Sequence, residues 1–169
     1  ILGDLPEERS RAVLQAMEQA GVGHDDPVML VGFSQGGIMA GHLAAYNSDY
    51  NWSAVVVAGA PIDSMPIPAS TKVVSVQHAG DPVPQLDSYM SLGVLGHPWH
   101  GPNWTTIHET SPLAAQGVGG IHNAAAYNST LSSHVDLVPP ATQDDLSEYF
   151  IGDQSAYGYQ NTYYSWNED

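Results

Sequence analysis

The chain predicts an α/β fold, a mainly parallel sheet flanked by helices, and three observations carry that prediction. Residues 28–33, 53–59 and 72–78 are short runs, each with an apolar stretch, of the length of buried strands. Helical patterns or long crossovers separate them, as parallel pairing requires, rather than two-residue turns. The run 28–33 then passes straight into a helical pattern through Gly32-Phe33-Ser34-Gln35-Gly36-Gly37. With 169 residues, 43% of them hydrophobic, the chain suits one domain with a sizeable core.

Taken in order, residues 6–20 read as a helix. Pro6 fits its first turn, Glu7 and Glu8 favour its positive end, and Gly21 closes it. Val13, Leu14 and Met17 share its apolar face. The run 28–33 has no polar alternation, so it reads as a central strand buried on both faces with neighbours on each side. Residues 35–46 form the helix after the turn, and 53–59 and 72–78 are the next two strands. Residues 103–108 (Asn-Trp-Thr-Thr-Ile-His) form a fourth strand, and 122–131 a short final helix. A Pro- and Gly-rich loop occupies 81–102. The organisation is therefore a catalytic-type region over 1–152 and an aromatic, polar tail over 153–169, read as packed on the surface or partly disordered, with a ligand-facing flap as the alternative.

Charge narrows the function classes. The net charge is −15, and Arg9, Arg11 and Lys72 are the three basic residues. Nucleic acid and anionic membrane surfaces are poor partners for such a chain. No apolar run approaches the ~20 residues of a membrane span. There are no cysteines, which excludes disulfides and thiolate catalysis and leaves the compartment unspecified.

Gly32-x-Ser34-x-Gly36 between a strand and a helix is the pattern of a nucleophile elbow, in which a strained backbone exposes the serine Oγ. The alternative is a Gly-rich turn with an ordinary serine. The amide of Gln35, at the helix start, is placed to face a developing oxyanion. A serine nucleophile needs a base, and the base an acid that orients it, in the chain order Ser, Asp or Glu, His. Asp81 suits the acid: it follows the strand 72–78 in a turn set by Gly80 and Pro82, although a turn aspartate often only caps its own backbone. Asp63 is the rival, and Asp87 lies deeper in the loop. Among eight histidines, His24 and His42 have the wrong order or orientation. His78 is read as support for the Asp81 turn. His97 and His100 lack a third metal ligand nearby, and His108 sits at a strand end beside Glu109. His122 follows the Gly117–Gly120 run, read as mobile, and opens the last helix, which makes it the candidate base, with His134 as runner-up.

The elbow 32–37, the segments 58–62, 74–84 and 102–106, and the segment 122–127 occur in an order that resembles bacterial serine hydrolases of the α/β-hydrolase superfamily, similar to cutinase-like esterases and lipases. The resemblance covers about three-quarters of the chain. It implies a three-layer sandwich, with Ser34 as nucleophile, Asp81 as acid and His122 as base. Such folds carry several strands before the elbow, and a loop there gives the second oxyanion donor. Here the elbow strand begins at Val28, so the amino-terminal strands are expected to be missing.

The expected function is therefore hydrolysis of carboxylic esters, small or lipid, through an acyl-enzyme, with no metal and no organic cofactor. The alternatives are a thioesterase or peptidase with the same residues, or a non-catalytic hydrolase-like binding domain. Phe33, Trp99 and Trp104 are expected to touch substrate. The loop 88–104, with Met90, Leu92, Val94 and Leu95, either lines an acyl pocket or packs on the sheet edge. An upstream segment or a second copy of the chain is expected to complete the sheet beside residues 28–33.

Overall fold

A computed structural model describes residues 5–87 and 100–134. It shows a four-stranded, wholly parallel sheet between two layers of helices. The elements run α1 (Leu5–Gln19), β1 (Pro27–Phe33), α2 (Gln35–Tyr46), β2 (Asn51–Ala58), β3 (Lys72–His78) and β4 (Trp104–Glu109). Among the described residues a 3₁₀ turn (Ala114–Gln116) and two α-helices come after β4, the single-turn α3 (Val118–Ile121) and α4 (Ala124–Ser133).

The strands stand in the order β1-β2-β3-β4. Their side chains alternate between two cores, as the period of two demands. Val55, Val57 and Val73 face Ala40, Leu43 and Ala44 of α2, with Val13, Leu14 and Met17 of α1 packed behind. Ala54, Val56, Val74, Val76 and Ile107 face the opposite way, toward Tyr127 and Leu131 of α4. These valines are almost completely buried, and each is worth roughly 1.5–3 kcal/mol relative to an exposed side chain.

Among the described residues β1 pairs with β2 alone and stands at the end of the sheet, with β2, β3 and β4 all on one side of it; the other side is the one expected to be filled by an upstream segment or a second copy of the chain. The apolar run of β1 reflects use of both faces, with Val28 and Leu30 in one core and Met29 and Phe33 in the other. Neither face is sealed, and Val31 is 68% exposed. The run Gly117–Gly120, expected to be a mobile loop, is instead largely helical as α3, because its turn is closed by Ile121 N–H to Gly117 O (2.9 Å) and His122 N–H to Val118 O (2.8 Å). The last helix also starts later than expected, at Ala124, because Asn123 caps it: its side chain accepts from the N–H groups of Ala125 and Ala126. The tail 153–169 lies outside the described residues.

Candidate active site

In an open parallel sheet, ligand-facing groups collect at the carboxyl ends of the strands, and three loops of this chain meet there. The first is the turn from β1 into α2. Ser34 has φ 52° and ψ −120°, the single positive φ outside glycine among the described residues. Such a conformation costs about 1–3 kcal/mol, and neighbouring contacts must hold it. Ser34 N–H donates to Ala58 O of β2 (2.9 Å), and Ser34 O accepts from the N–H groups of Gly37 and Ile38. The turn is tight enough that a Cβ on Gly32 would collide with Gly36 O. One on Gly37 would stand 2.6 Å from the Ala60 Cβ. Gly36 itself has open space around it. Gln35, exposed, is the first residue of α2, so its N–H is among those without an intrahelical partner.

The second loop leaves β3. Asp81 N–H bonds back to His78 O (3.0 Å), and the side chain is wholly buried. Its Oδ1 accepts from Val83 N–H (2.9 Å), the self-capping of a turn aspartate. Its Oδ2 faces the third loop, the link between α3 and α4 that carries His122. The His122 Nδ1 lies 2.7 Å from Asp81 Oδ2, and its Nε2 lies 2.9 Å from Ser34 Oγ. A carboxylate oxygen only accepts, so Nδ1 carries the proton and Nε2 is left to accept from the serine hydroxyl. Asp81 thus does both things open to it, one oxygen for its own turn and the other for the imidazole.

The link is held from both sides. His122 N–H bonds into α3, and Asn123 caps α4. The buried His78 ring donates from Nδ1 to Ile121 O (2.8 Å), so its Nε2 accepts from Thr130 Oγ1 (2.8 Å). Phe33 stacks on His122 with ring centres 4.8 Å apart. Gly59, at φ +58°, lets the backbone pass close to the same ring: a Cβ there would stand 3.1 Å from His122 Cε1.

Tyr127 completes the cluster. Its hydroxyl donates to Asp81 Oδ2 (2.6 Å) and accepts from His78 N–H (3.0 Å). Its ring stacks on His78 at 3.7 Å. Burial first, and then the bond to Asp81, push its phenol well above the ordinary tyrosine range, so it stays protonated. Sequence reasoning did not single out Tyr127, Gly59 or Asn123. Asn123 carried a signal, an N-cap residue directly before an alanine run. Tyr127 carried none, since nothing in an Ala-rich helix marks which neighbour its hydroxyl meets.

The rival residues point elsewhere. Asp63 accepts from Gln77 Nε2 (3.0 Å), and Asp87 from Ser64. His134 bonds Thr130 O (2.9 Å) and lies 3.3 Å from Glu109, while His108 is exposed. His24 meets Asp49 O, His42 meets Ser10, and His100 meets Asp63 O. Trp104, expected to touch substrate, is corrected. It opens β4 opposite Val73, at the amino end of the sheet, and packs on the α1–α2 core, stacked on His100 at 4.0 Å. Trp99, His97, Met90, Leu92, Val94 and Leu95 lie outside the described residues. Comparison of the chain with models of known families, with curated proteins and with solved structures gives no match.

Proposed function

We propose that the protein is a serine hydrolase that cleaves carboxylic esters through an acyl-enzyme. The observation that carries this reading is the continuous hydrogen-bonded path Ser34 Oγ–His122–Asp81, at 2.9 and 2.7 Å, on the carboxyl side of a parallel sheet. In this mechanism Ser34 Oγ attacks the ester carbonyl carbon while His122 Nε2 takes the hydroxyl proton. Asp81 keeps the imidazole in the correct tautomer and stabilises its charged form without itself taking the proton. The carbonyl electrons move to oxygen, and the Gln35 N–H faces that oxyanion; one such donor is worth about 100–1,000-fold in rate. The tetrahedral intermediate collapses as the alkoxide leaves with the proton from His122. Water, deprotonated by the same nitrogen, then releases the acid and restores Ser34.

A fluorophosphonate probe tests this. Mass spectrometry is expected to place the adduct on Ser34, with none in Ser34→Ala. An adduct elsewhere, or none on folded protein, rejects the reading. Side-by-side assays of short-chain oxygen esters and acyl thioesters then separate an esterase from a thioesterase.

A further inference from the structure

Two buried side chains stacked on each other beside the Ser34–His122–Asp81 path are His78 and Tyr127, and the second touches it. Tyr127 is 1% exposed, and its hydroxyl reaches the same oxygen, Asp81 Oδ2, that accepts from His122. We propose that Tyr127 is a positioning residue of this site. By donating to Asp81 Oδ2 it fixes the carboxylate and draws off part of the charge that would otherwise hold a proton on His122.

The geometry supports each half of that statement. Asp81 is held by three donors from three places: Val83 N–H in its own turn, His122 in the link, and Tyr127 on α4. Without Tyr127, Oδ2 has the imidazole as its single partner among the described residues, and the carboxylate loses its tie to α4. The ring cannot drift, because His78 stacks on one side and Phe33 leans on another at 5.7 Å. The hydroxyl is oriented too. It accepts from His78 N–H, so its own proton is directed at Asp81. Because burial keeps the phenol protonated, it acts as a donor throughout the working range of an imidazole base. Among the described residues the titratable groups facing this cluster are Asp81 and His78 from β3 and its turn, and His122 from the link. The Glu109–His134 pair stands at the ends of β4 and α4, partly exposed.

The kinetic consequence rests on the hydrolase reading; the electrostatic one does not. Tyr127→Phe keeps the ring and removes the hydroxyl. The titration of His122, followed by NMR on its Cε1–H, is expected to move to higher pH, because Oδ2 then turns its full charge to the imidazolium. Fluorophosphonate labelling of Ser34 at neutral pH is expected to slow roughly ten-fold, the scale of losing one hydrogen bond to a charged group. Thr130→Val removes a hydroxyl from the same buried network on the far side of His78. It is expected to lower stability and leave the His122 titration in place. An unmoved titration in Tyr127→Phe, or an equal shift in both variants, overturns the proposal. If unmodified protein fails to label, the hydrolase reading falls, and the His122 titration still decides the role of Tyr127. Should Tyr127→Phe not fold, the unmodified protein supplies the test. Its hydrogen-bonded Tyr127 hydroxyl proton is expected to shift as His122 titrates, and a stationary resonance overturns the proposal.

Discussion

Replacing Gly59 by alanine probes the site through a residue that takes no part in the chemistry. Gly59 has φ +58°, and a Cβ there would stand 3.0 Å from Tyr127 Cε2 and 3.1 Å from His122 Cε1. Carbon atoms pack comfortably at about 3.5–4.0 Å, so something must yield by a few tenths of an ångström. Tyr127, buried and backed by His78 at 3.7 Å, has no free room behind it, so the partly exposed His122, stacked on Phe33 at 4.8 Å, is the ring that yields. The displacement therefore falls on the 2.9 Å bond from His122 to Ser34. A misplacement of 1 Å costs about 100-fold in rate, so a few tenths should cost about ten-fold. The left-handed backbone adds about 1–2 kcal/mol of lost stability. The control is Gly117→Ala, at φ +75° with nothing within 4 Å of the new Cβ. At ψ −158° it carries a glycine-region backbone cost of its own without the contact. Thermal melting and the rate of Ser34 labelling are measured on both variants. Both are expected to lose stability, and only Gly59→Ala to lose labelling rate. Equal rates in the two variants, on folded protein, refute the reasoning.

Asp81→Asn keeps the shape of the turn but places an amide where the imidazole donates. Labelling of Ser34 is expected to fall by about 10⁴, the scale of losing the correct tautomer; a fall of less than ten-fold points to another acid. Within the elbow, Gly36→Ala meets open space on a helix and should gain about 1 kcal/mol of stability. Gly37→Ala drives a Cβ to 2.6 Å from Ala60 and should destabilise, and denaturant midpoints compare the two. Val31→Lys places a charge on the open edge of the sheet. It is expected to change stability by less than about 0.5 kcal/mol and to suppress concentration-dependent association, read by sedimentation; unchanged association would move that contact elsewhere. The raised Tyr127 phenol favours the fold while the unfolded chain keeps its tyrosines protonated, below about pH 10. That contribution fades as pH climbs toward the folded value, so the stability gap between unmodified protein and Tyr127→Phe should narrow above pH 10. A constant gap in melts taken across that range counts against the burial of the phenol as its cause.

The sheet was legible because its strands carry apolar stretches and are separated by crossovers. The strand order is the simplest one open to residues 53–59, 72–78 and 103–108, each adding outward on one side of β1. The unbroken apolar run of β1 reflects apolar neighbours on both of its faces, and among the described residues its second edge has no strand beside it. Gly117–Gly120 misled because glycine permits mobility but also permits the close approach of α3, where a Cβ on Gly120 would collide with Leu113 O. At the site, Ser34, Asp81 and His122 were picked out by their order and by the turns around them, and they lie on one hydrogen-bonded path. Tyr127 was invisible, because its partner depends on how α4 docks on β3, and no local pattern encodes that.

The elbow is local in sequence, since Ser34 sits between an adjoining strand and helix. The base is not. His122 lies 88 residues away from Ser34 in sequence, and three parallel pairings, each across a crossover, stand between them. Pairings of that kind are slow, because loop-closure entropy is lost before their contacts form. Appearance of a reactive serine during refolding would therefore date the docking of α3 and α4, not the shaping of the turn that carries the nucleophile.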